Sequence, residues 1–129
     1  MNLEKLYELA EKEHIKIYNY YFDEDINGMY LNYDKLNAIA LNYKNIENTI
    51  EEKCILSEEL SHYYTDAIYN YANVDTILYE KQEYRAKKYS YNMLIPFEKL
   101  KSAILKRNWY TVWSSRLFWS YKRIYAKCN

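Results

Sequence analysis

The sequence predicts a single α+β domain, in which a small sheet is followed by two helices that carry the chemistry. Three observations point there. Leu3, Leu6, Leu9 and Ala10 recur at helical spacing near the start. Short alternating runs on either side of a polar turn then read as a hairpin. Two long helical stretches follow, and the first contains Glu58-Glu59-Leu60-Ser61-His62. At 129 residues, half of them hydrophobic, the chain has the size and apolar content of one domain with a proper core.

Taken in order, residues 3–13 form the first amphipathic helix, with Glu and Lys between its apolar positions. His14 follows as a loop residue at the helix end. Ile15-Lys16-Ile17-Tyr18 alternates and reads as a short strand. Tyr20 to Asp25 is a loop, and Asn27-Gly28, which holds the only glycine of the chain, is a turn signal. Residues 28–32 and 37–42 flank Asp34-Lys35 as the two arms of the hairpin.

Thr49-Ile50-Glu51-Glu52 matches a capping box, so a helix is expected from about 50 to 65 with Ile50, Cys54, Ile55 and Leu60 on its inner side. Cys54 reads as a small core residue. Residues 66–77 read as a loop with weak helical character. A second helix, at about 78–92, carries Glu83, Ala86, Tyr89 and Ser90 and stops before Pro96, because a residue ahead of proline disfavours the helical region. Phe97 to Leu105 is a further short amphipathic helix.

Composition excludes several classes. Eighteen basic and eighteen acidic residues balance, which gives no global attraction to nucleic acid or to a membrane. No stretch approaches the roughly 20 apolar residues of a membrane span, and the N-terminus has no apolar signal region. Cys54 and Cys128 lie far apart and suggest no disulfide framework. The expected location is the cytoplasm. The charge is nevertheless uneven: residues 97–129 hold eight Lys/Arg against one acid, Glu98, and residues 1–96 hold ten against seventeen. Abundant Tyr, Asn, Lys and Ile fit an AT-rich gene.

The chemistry concentrates in Glu58-Glu59-Leu60-Ser61-His62. Helix positions i and i+4 share a face one turn apart, so Glu58 and His62 can grip one ion together. Glu59 is rotated by roughly 100° and is free of that duty. The geometry is that of H-E-x-x-H, in which two histidines hold zinc and the glutamate is the general base, with glutamate in place of the first histidine. The bland alternative is a solvated acidic helix face with a satisfied histidine.

Two segments together resemble the ImmA/IrrE family of metallopeptidases. One is the E-E-L-x-H segment, preceded by the strand Ala38-Ile39-Ala40-Leu41-Asn42. The other runs Glu83-x-x-Ala86-x-x-Tyr89-Ser90-x-x-Met93-Leu94-Ile95-Pro96, which keeps every offset of the family's E-x-x-A-x-x-F-A-x-x-L-L-M-P. The resemblance covers roughly residues 1–105 and defines a domain of residues 1–106. It implies a zincin-like fold, a small antiparallel or mixed sheet on an active-site helix, followed by a helix bearing the last ligand. It implies that Glu58, His62 and Glu83 bind the metal and that Glu59 is the catalytic base. Zn2+ is the expected ion, and Mn2+ or Fe2+ are the alternatives because two carboxylates shift preference toward harder ions. With three carboxylates clustered, at least one raised pKa is expected in the metal-free site. The implied substrate is a helix-turn-helix repressor of a phage or mobile element, cleaved or inactivated by the enzyme. A catalytically inactive relative that docks on such a repressor, or a decayed copy, is the alternative.

Residues 107–129 depart from the rest. All three tryptophans lie there, along with most of the basic excess. This end reads as a final core helix, as an aromatic and basic surface for nucleic acid or an anionic membrane, or as a frameshift product. The third reading is preferred. Back-translated with AT-rich codons and shifted by one base, this stretch can give DYFGVTKEYM, which is similar to the family's C-terminal ending. A frameshift after about residue 106 is therefore expected, and neither nucleic-acid nor membrane binding.

Overall fold

The computed structural model describes residues 1–23, 25–67 and 75–106. The aromatic and basic tail at 107–129, with its frameshift reading and Cys128, lies outside the described residues, as does most of the loop expected at 66–77. Among these residues, four helices and a three-stranded mixed sheet follow one another as α1 Leu3–Lys12, β1 Lys16–Asn19, β2 Gly28–Tyr33, β3 Leu36–Leu41, α2 Thr49–Tyr64, α3 Thr76–Leu94 and α4 Phe97–Leu105. Among the described residues, no helix is long and apolar enough to cross a membrane.

The sheet order is β1-β3-β2. β3 is central, parallel to β1 and antiparallel to β2, with Ile17 opposite Ile39 and Tyr30 opposite Ile39 from the other side. The β2–β3 hairpin closes on Asp34 and Lys35, whose φ values of 45° and 65° match the two left-handed residues of a tight hairpin turn. The turn expected at Asn27-Gly28 takes a different form. Gly28 opens β2 and is not left-handed. The preceding residues are pinned instead by buried Asn42, whose N–H donates to Asn27 O at 2.9 Å and whose Nδ2 donates to Ile26 O at 3.2 Å.

Leu6 and Ala10 of α1, Ile39 and Leu41 of β3, Ile55, Leu56 and Leu60 of α2, and Leu94 of α3 build one core. Cys54 is half-buried and packs against it, as a small core residue should. α2 lies at the centre. It touches the sheet, α1 and α3, and this encirclement explains its weak amphipathic pattern: Glu51, Ser57, Ser61 and His62 are buried beside its leucines.

The cap of α2 differs from the expected one by one residue. Asn48, not Thr49, is the N-cap, and its side chain accepts from Ile50 N and Glu51 N. The glutamate that reaches back is Glu51, which accepts from Glu47 N at 3.0 Å. Glu52 points elsewhere and accepts from the Tyr7 hydroxyl, which also meets the Tyr43 hydroxyl and so ties α1 to α2. Asparagine outcompetes threonine at this position because its carbonyl reaches two amides at once. α3 starts two residues earlier than expected, capped by Asp75.

Candidate metal centre

Three side chains converge between α2 and α3. Glu58 and His62 stand one turn apart on α2, and Glu83 reaches across from α3. One ligand atom from each lies within 4.8 Å of the others. His62 Nε2 and Glu83 Oε1 are 3.5 Å apart. Tetrahedral zinc with bonds of about 2.1 Å holds neighbouring donors about 3.4 Å apart, so this pair has the right separation for one ion.

Small residues make the convergence possible. Ser57 and Ser61 on α2 face Ala86 and Ser90 on α3, and all four are buried. The Ser57 and Ser90 hydroxyls meet at 2.9 Å. Glu83, Ala86 and Ser90 share one stripe of α3 at helical spacing, so the residues that let the helices approach also aim Glu83 at the site. Tyr64 of α2 stacks on Tyr89 of α3 with ring centroids 5.5 Å apart.

His62 is buried, and its Nδ1 lies 3.2 Å from Ala67 O. A carbonyl can only accept, so this contact is a hydrogen bond in the tautomer whose Nδ1 carries the proton. The other ring nitrogen, Nε2, faces Glu83 Oε1. Lys87, one turn after Glu83, places Nζ 3.7 Å from Glu83 Oε2. One carboxylate oxygen thus faces the histidine and the other faces a cation.

Glu59 projects toward β2. A Cβ on Gly28 would sit 3.1 Å from Glu59 Cγ and 3.2 Å from Oε1. The residue borders a cleft and is only half-buried as a whole, yet its carboxyl is packed among protein atoms. Burial pushes its pKa up to about 8; the Glu58 charge adds to the rise, a backbone hydrogen bond from Tyr30 opposes it, and Glu83 adds a smaller increment. One raised carboxyl is expected from the clustering of three glutamates; the rise is there, but its main cause is burial and the neighbouring charges come second.

All four sequence-derived site residues line one cleft of about 650 Å3, together with Gly28, Tyr30, Asn32, Ala67 and Tyr79. His14 lies apart, exposed and left-handed at the end of α1. Sequence reasoning missed Ala67, Tyr79 and Lys87. Tyr79 and Lys87 lie four residues on either side of Glu83, so helical spacing alone puts them near its face. Ala67 carries no side-chain signal, because it acts through its backbone.

Comparison with protein-family models, with curated proteins and with solved structures found no match to this chain.

Proposed function

We propose that this chain is a metal-dependent endopeptidase with a zincin-like arrangement, related to the ImmA/IrrE family, and that it acts on a helix-turn-helix repressor in the cytoplasm. One observation carries the metal reading. One ligand atom each from Glu58, His62 and Glu83 lies within 4.8 Å of the others, with two carboxylates and one imidazole facing a common point. Such a group can hold a divalent cation. Two carboxylates and an imidazole suit Zn2+ and, with their excess of oxygen, Mn2+ or Fe2+.

A bound divalent ion supplies Lewis acidity to a scissile carbonyl and acidifies water. The chain's own residues supply the rest. Beside a bound cation the Glu59 carboxyl would ionise, and it would then take the proton of the attacking water and return it to the leaving amine. Glu59 lines the cleft beside Gly28 of β2, which supports this role. The repressor as substrate rests on the family resemblance.

The second reading is a non-cleaving relative that docks on the same repressor, and Glu58 is what favours it. An anionic ligand in place of a neutral histidine lowers the effective charge of the ion and leaves water less acidic. Elemental analysis of the purified protein tests the metal reading. About one equivalent of zinc, manganese or iron is expected, retained in Glu59→Gln and lost in Glu83→Ala. Protein that binds none of these ions rules the enzyme out. Cleavage of a co-expressed repressor that is abolished by Glu59→Gln separates the enzyme from the docking module.

A further inference from the structure

The last turn of α2 closes with two backbone bonds. Asp66 N donates to Tyr63 O at 3.3 Å and Ala67 N donates to His62 O at 3.1 Å, with Asp66 left-handed at φ 50°. This is the helix-terminating pattern normally built around glycine. α1 ends in the same way: His14 N donates to Glu11 O at 3.0 Å, Ile15 N donates to Ala10 O at 2.8 Å, and His14 has φ 57°.

The α2 closure has one addition. Ala67, whose N–H binds the His62 carbonyl, returns its own carbonyl to His62 Nδ1. Ala67 thus holds His62 twice, by main chain and by ring. Ala67 and His62 are only 2% and 6% exposed, so water competes poorly for the ring proton.

We propose that Asp66 is a positioning residue: its left-handed turn sets the imidazole of His62 with Nδ1 protonated and Nε2 presented to Glu58 and Glu83. The benefit to metal binding rests on the metal-site reading above; the setting of the ring does not. Any residue that resists positive φ swings the Ala67 carbonyl away, and the ring then loses both its orientation and its preference for one tautomer. Partners that orient a histidine ligand in this way are typically worth 10–100-fold in metal affinity.

The experiment is imidazole nitrogen NMR on the metal-free, 15N-labelled full chain, with His14→Gln used to assign the His62 ring. Wild type is expected to show a protonated Nδ1 and a bare Nε2. Asp66→Gly, which keeps positive φ without strain, is expected to retain that pattern and the wild-type Zn2+ affinity. Asp66→Val disfavours positive φ. It is expected to move the ring shifts toward the tautomer mixture of free imidazole and to weaken Zn2+ binding by about 10–100-fold, with helix content by circular dichroism retained. If Asp66→Val does not fold, Asp66→Ala gives a smaller change in the same direction. A wild-type ring protonated on Nε2, or ring shifts unchanged in the variant that resists positive φ, overturns the proposal. The expected ring pattern in a protein that binds no Zn2+ upholds the positioning and overturns the metal-site reading.

Discussion

The hydroxyls of Ser57 and Ser90 meet at 2.9 Å where α2 and α3 pack against each other, and both residues are buried. Their smallness sets the spacing of the two helices, and that spacing sets the reach of Glu83 toward His62. Ser90→Leu is expected to cost about 1–3 kcal/mol through overpacking. It is also expected to weaken metal binding, because Glu83 retreats with its helix. Ser90→Ala keeps the spacing and loses only a hydrogen bond, so it should cost about 1 kcal/mol and leave metal affinity near wild type. Denaturant melts and zinc titration of the two variants check the pair.

Gly28 is required by close approach, not by backbone freedom. A Cβ there would lie 2.6 Å from Ile55 Cγ2 and press on Glu59. Gly28→Ala is expected to cost about 1–3 kcal/mol. Ile55→Ala, which removes the nearest atom, should recover part of that stability in the double variant. A double-mutant cycle by urea unfolding reads the coupling.

The metal-free protein should lose stability as pH rises. Glu59 has a folded pKa near 8 against an ordinary value of 4.5, so the folded state binds more protons between those values. Its contribution is fully present below about pH 4.5 and is lost as pH climbs through about 8. Thermal melts of chelator-treated protein across this window should show the decline, and Glu59→Gln should flatten it.

Glu58→His puts a neutral ligand at the first position of the proposed site. The expected outcome is tighter Zn2+ binding and a weaker relative preference for Mn2+, because imidazole suits zinc and carboxylate suits the harder ion. Competition titrations with the two ions measure the change.

Much of this was legible in the sequence because periodicity reports which face of an element is buried. The Leu3–Leu6–Ala10 stripe, the Asp34-Lys35 turn and the bounds of α4 all followed from it. Glu58 and His62 shared a face by helical spacing alone, and Glu83 came from the family resemblance whose second segment ends at Pro96. What escaped was set by atoms that carry no pattern. Asn48 displaced Thr49 as the cap because cap choice depends on which side chain reaches the free amides. Gly28 resembled a turn residue, since sequence does not distinguish a glycine needed for torsion from one needed for contact. Ala67 acts through its carbonyl, which every residue possesses.

The proposed cation site has ligands on α2 and α3 and none on the sheet. An ion there is a non-covalent staple between two helices joined by a connection of eleven residues, 65–75. Under the metal reading, folding and ion supply become one equilibrium. At a free ion concentration 1,000-fold above Kd, the folded state gains about 4 kcal/mol, a large part of what a domain of this size has. Ion scarcity would loosen the staple and expose α3, so the lifetime of the protein in a cell would follow its metal supply.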